Sequence, residues 1–117
     1  MSYTIVDAGS VPAGEGPHPA TSRFDKRISG PLGVTAFEVY QVELPPHEQT
    51  VLHDHVDDQV EDSYAFLRGD GWLVVDDEVV PVGPGQFAAV SIGSRRQVRA
   101  GAQGLVLIAV CAPTTSI

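Results

Sequence analysis

Apolar and polar positions along this chain alternate in short bursts that never settle into a 3.6-residue period. Residues 34–44 are rich in β-branched and aromatic side chains and stop at Pro45-Pro46, which predicts a strand. Further strands are expected at 3–6 (an edge strand), through His53 and His55, and at 62–67, 72–75, 78–82, 87–90, 95–100 and 105–110. Turn signals fall between them: 29–33, Arg68-Gly69-Asp70-Gly71, Asp76-Asp77 as a hairpin tip, Gly83-Pro84-Gly85, 91–94 and 101–104. Short strands with a turn every eight to twelve residues define an all-β sandwich or barrel. The Pro/Gly-rich stretch 9–19 reads as a loop or arm. The expected organisation is therefore an N-terminal strand and arm over 1–33, a barrel over 34–111 and a loose tail over 112–117.

At 117 residues and 43% apolar content the chain suits one soluble domain with a single core, and no apolar run reaches membrane-spanning length. A net charge of −8 argues against nucleic acid or an anionic membrane as partner, since both need a basic footprint. One cysteine, Cys111, excludes an internal disulfide framework and a cysteine-rich zinc site. With no basic-then-apolar leader at the start, the expected location is the cytoplasm.

Candidate chemistry concentrates in residues 53–71, HDHVDDQVEDSYAFLRGDG. His53 and His55 are two apart, so on an extended strand both imidazoles point to one face. Asp54, Asp57, Asp58, Glu61 and Asp62 lie beside them, and two imidazoles with a carboxylate suit a divalent ion: Zn, Fe, Mn, Ni or Cu. Without an ion, the same histidines can work as general acid or base, or simply bond Asp62 and backbone. Tyr64, Phe66 and Trp72 are expected in the core or a pocket wall. His47 is expected in a loop overhanging the pocket, and His18, between two prolines, as a loop histidine and not a ligand. Asp57-Asp58 reads as a solvated loop that shapes the field at the pocket mouth, and Cys111 as a small buried hydrophobe.

The motifs His53-Asp54-His55, Asp62-x-Tyr64-x-Phe66-Leu67-x-Gly69-x-Gly71 and Pro84-Gly85-Gln86 together resemble the cupin superfamily over roughly residues 34–110. With Pro31-Leu32-Gly33, Glu43-Leu44-Pro45-Pro46 and Arg95-Arg96-x-Val98-x-Ala100-Gly101, the chain is similar to a group of small bacterial single-domain cupins with no one agreed activity. The resemblance implies a jelly-roll barrel with a pocket at one end, whose metal-binding members use two H-x-H histidines, a Glu and a later His. Here Asp62 stands at the acid position, with Glu61 as the backup ligand, and Arg96 stands where the fourth ligand would be. Strand parity favours Asp62, which shares a face with Tyr64 and Phe66.

Arginine stays protonated and does not ligate a metal, so His53, His55 and Asp62 would form a 2-His-1-carboxylate set. Arg96 would instead bind an anionic organic substrate or pair with Asp62, while a one-residue shift would put Arg95 there. Three readings follow: a metalloenzyme of oxygenase, isomerase or hydrolase type, a metal-free epimerase or cyclase, and a non-catalytic small-molecule binder. A homodimer is expected, because jelly-roll barrels leave edges that pairing covers and the arm can exchange.

Overall fold

The computed structural model describes residues 2–114 and holds six antiparallel strands. They are β1 (Asp25–Arg27), β2 (Glu38–Leu44), β3 (Val60–Val75), β4 (Glu78–Val82), β5 (Phe87–Val90) and β6 (Arg96–Pro113). A single helical turn, α1 (Ser29–Leu32), separates β1 from β2 and ends at Gly33, whose φ of 76° supplies the left-handed closure. The order is β1-β2-β6-β3-β4, with β5 also on β3.

Two long strands hold the barrel together. β3 pairs with β6 along nearly its whole length; β5 flanks its first half (Asp62 opposite Val90) and β4 its second (Val75 opposite Glu78). Expecting turns at 68–71 and 101–104, and therefore four shorter strands, was wrong. Both stretches stay in the ladder as irregularities, with register shifts at Phe66/Arg68 and Gly69/Gly71. Glycine makes this passable: a Cβ on Gly69 would collide with the Gly104 carbonyl, and one on Gly71 with that of Arg99. The glycines mark a close crossing of two backbones, where a bulge lets each strand bend around the barrel.

Other expectations hold. Asp76 and Asp77 form a two-residue hairpin tip with φ of 46° and 70°, as a type I′ turn requires. Burial along β3 alternates, placing Asp62, Tyr64 and Phe66 inside and Glu61 outside. Tyr40, Val42 and Leu44 of β2 and Val98, Ala100, Leu105 and Leu107 of β6 complete the core.

Some boundaries need correction. Residues 3–6 form no strand, and Tyr3 and Ile5 are exposed. Within 1–33, β1 is an edge strand paired to β2, not part of a free arm. Ala112 and Pro113, expected in a loose tail, pair with Glu61 and Val60; residues 115–117 of that tail lie outside the described residues. Trp72 alternates outward and is 38% exposed.

We expect Gly69→Ala, which combines a φ of 94° with a backbone collision, to destabilise the fold by about 3 kcal/mol or more. Gly83→Ala, which meets open space, should change stability by less than about 0.5 kcal/mol. Equal denaturant midpoints for the two variants would refute the close-crossing account.

Candidate metal centre

The segment from 48 to 55 forms no continuous strand, contrary to expectation, but runs antiparallel along the start of β6 through isolated bridges. Thr50 donates its N–H to the Val98 carbonyl, and His53 and Arg96 exchange backbone bonds of 3.1 and 2.8 Å. His55 then donates its N–H to the Ile92 carbonyl. These anchors give the two-residue parity of a strand, so both imidazoles face the barrel interior.

Four side chains converge on Asp62 Oδ2. His55 Nε2 lies 2.9 Å away, Arg96 Nη1 donates at 2.7 Å and the Tyr64 hydroxyl donates at 3.2 Å. His53 Nε2 stands at 3.8 Å, a charge contact more than a hydrogen bond. Arg96 is wholly buried, its other nitrogens given to the Ser94 and Ser91 carbonyls at 3.2 and 2.7 Å. Arg95 is exposed, so it is Arg96 that turns inward, in line with Val98 and Ala100.

Both histidines have the same build. His53 Nδ1 donates to the Val51 carbonyl at 2.8 Å, and His55 Nδ1 faces Asp58 Oδ1 at 3.0 Å. Each ring thus has an oxygen partner behind it and turns Nε2 toward Asp62. His53, His55 and Asp62 each offer an atom within 4.8 Å of the others. In number and type this donor set fits one divalent cation.

Burial opposes the charge on Asp62, but His53 and the charges of His55 and Arg96 outweigh it and hold the carboxyl below its usual range. Burial likewise opposes a charged His53, yet Asp62 and the Val51 carbonyl raise its pKa above the ordinary value. Burial first, then the Asp62 charge, pushes the Tyr64 hydroxyl far upward, so it remains a donor. Cys111, half-buried, is pushed up to about 12 by burial and then by carboxylates including Asp62 and Glu38, which leaves an unreactive thiol.

Above this floor lies a cavity of about 950 Å³. Tyr64, His53, His55 and Asp62 line it, with apolar walls from Val42, Val98 and Leu107. Three sequence-predicted pocket residues do not. Phe66 is sealed in the core. Arg96 lies beneath Asp62, because its charge is already used by that carboxylate and two carbonyls. His47 sits at the far end of the barrel, exposed with φ 65° and its N–H on Gly101, because the loop after Pro46 leaves β2 at the end opposite the cavity.

Two residues that sequence reasoning set aside are part of the assembly. His18 reaches over from the arm: its ring centroid is 5.1 Å from that of His55, and its Nε2 bonds Asp58 Oδ2 at 2.9 Å. Asp58 therefore bridges two imidazoles. Forty residues separate His18 from Asp58, and no local sequence pattern marks the pairing.

An antiparallel jelly-roll barrel with an inward His-x-His and carboxylate defines the class, and solved structures bear out the fold. A cupin protein from Bacteroides fragilis superposes with TM-score 0.78 at 18% identity, over 100% of this chain and 89% of the other. A sugar phosphate isomerase from a cupin superfamily, from Silicibacter pomeroyi, gives 0.76 at 22% identity, over 95% and 76%. A Cupin 2 conserved barrel domain protein from Salinispora arenicola gives 0.73 at 20%, over 97% and 90%. No family model matches the chain, and neither does any curated protein sequence. The chain has the cupin fold.

The pKa directions set a pH window for the metal-free protein. Asp62, depressed, contributes stability above 3.8 that disappears as pH falls through its lowered value. His53, raised, contributes fully below 6.5 and loses its contribution as pH rises through its raised value. Melting temperatures of metal-free protein should therefore fall on the alkaline side more steeply for wild type than for His53→Gln. Identical alkaline limbs would remove His53 from this balance.

Proposed function

We propose that this protein is a metal-binding cupin in which His53, His55 and Asp62 hold one divalent cation at the floor of a small-molecule pocket. One observation carries the reading: both imidazoles are backed at Nδ1 by an oxygen and aim Nε2 at one buried carboxylate. A bound cation would act as a Lewis acid on an oxygen of the ligand. The chain's own residues do the rest. His53 and His55 are held in position by Val51 and Asp58, Tyr64 and Arg96 fix Asp62, and the apolar walls exclude water from the bound molecule.

The wall also bears on ligand class. Its charged members among the described residues are all carboxylates (Asp25, Glu38, Asp54, Asp57, Asp58 and Asp62), and no Lys or Arg lines it. A free anion held by Arg96, the sequence-based expectation, finds no exposed cation here. The ligand this pocket suits is a neutral, partly apolar molecule with an oxygen donor. The Silicibacter protein's sugar phosphate activity is accordingly not carried over, because no Lys or Arg lines the wall to hold a phosphate and six carboxylates would repel it.

A second reading draws on Arg96. Its guanidinium already neutralises Asp62, so the barrel can also stand as a metal-free binding pocket. Elemental analysis separates the two. We expect near-stoichiometric divalent metal in purified wild type and none in His53→Ala/His55→Ala. Affinity should fall about tenfold per pH unit below the raised His53 pKa, because a proton then competes for Nε2. A wild type that takes up none of Zn, Fe, Mn, Ni or Cu would leave the metal-free pocket as the answer.

A further inference from the structure

Three of the chain's four histidines meet at the cavity, and one of them comes from the N-terminal arm. His18 stands between Pro17 and Pro19 in a stretch, residues 17–21, that forms part of the cavity wall. Its bonding is directional. Nδ1 accepts the N–H of Ala20 at 3.0 Å, so the ring proton is on Nε2 and is donated to Asp58 at 2.9 Å. Asp58 in turn faces Nδ1 of His55 with both oxygens, at 3.0 and 3.2 Å. An unbroken line of polar contacts thus runs from the arm backbone through His18 and Asp58 to the Nδ1 side of His55, whose Nε2 faces Asp62.

Resting on the metal-centre reading above, we propose that His18 is a positioning residue for that centre and couples closure of the N-terminal arm to cation binding. When Nε2 of His55 is given to a cation, the ring's one proton is on Nδ1, where Asp58 receives it. Asp58 is then the outer carboxylate that orients a ligating imidazole, and His18 holds Asp58 in place. The loop leaves Asp58 partly exposed, with 36% of its side-chain surface accessible, so this outside anchor matters to its position. Coupling of this kind is reciprocal. Whatever factor the seated arm contributes to cation affinity, the cation returns to arm seating.

Loss of an outer-shell partner of a ligating histidine weakens metal affinity roughly ten- to a hundredfold. Titrating Co²⁺ into the full chain, we expect His18→Ala to bind about tenfold more weakly than wild type, and Asp58→Asn at least as weakly, both still at one ion per chain. His18→Gln retains an N–H for Asp58 and should recover most of the loss. In hydrogen–deuterium exchange, Co²⁺ should slow the amides of residues 14–21 in wild type but not in His18→Ala.

Equal Co²⁺ affinity in wild type and His18→Ala, or arm exchange indifferent to Co²⁺, would overturn the coupling and leave the His53, His55 and Asp62 centre standing. If His18→Gln behaves like His18→Ala and X-ray absorption shows one imidazole fewer on the ion, His18 is a direct ligand and the positioning role is wrong. A wild type that binds no Co²⁺ would bring down the metal centre itself, and the coupling with it.

Discussion

The fold closes around a buried charge. Asp62 and Arg96, 7% and 0% exposed, meet at 2.7 Å in the barrel floor. Neither can stand there alone, since stranding one partner of a buried pair typically costs about 3–5 kcal/mol. The pair is nevertheless well satisfied. Two carbonyls of the 91–94 turn take the remaining guanidinium nitrogens, and His55 and Tyr64 join Arg96 on Oδ2 of the carboxylate. Because Asp62 belongs to the long strand β3 and Arg96 opens β6, this one contact fixes the relation between those strands and the turn before β6. It also sets the height of the floor on which the imidazoles rest.

Such a floor needs a scaffold that can bend without ending its strands. β3 and β6 achieve this at glycines where their backbones approach too closely for a side chain. Bending there brings Val98 and Leu107, which lie on opposite sides of the irregularity in β6, onto one cavity wall. The core of Val42, Phe66, Leu105 and Leu107 lies next to the polar floor and shields it, which strengthens each contact made there.

Much of this was legible in the residues. Alternation fixed which side of β3 faces in, and with it the choice of Asp62 over Glu61. The resemblance put Arg96 at the fourth-ligand position but left Arg95 open as the inward residue, and the paired turn aspartates marked a hairpin. What failed has a common cause. Glycine pairs at 69/71 and 101/104 carry the same signature whether a chain turns back or a strand bulges, and only the partner backbone decides. His18 and Asp58 were missed because their meaning lies in a contact across forty residues, and an imidazole in a proline-rich arm looks solvated from sequence alone. His47 failed in the other direction. A histidine after a strand-ending proline pair is near one end of the barrel, but the pattern does not say which end holds the cavity.

In the proposed metal centre, the arginine at the floor would also govern what kind of ion is favoured. A histidine there would add a neutral donor and leave the carboxylate's full charge to attract a dication. Arg96 adds no donor and cancels that charge, so His53, His55 and Asp62 would act on an incoming ion as a nearly neutral set. Attraction must then come from ligand bonds more than from net charge, which favours ions that bind imidazole nitrogen strongly over hard, oxygen-seeking ones such as Mg²⁺. Carboxylates higher on the wall, Asp54, Asp57 and Asp58 among them, restore a negative field at the mouth. In the proposed centre, cations would be drawn in there, while the floor would select among them by ligand chemistry. Asp58 belongs to both levels, since it is part of that outer field and also the oxygen behind His55.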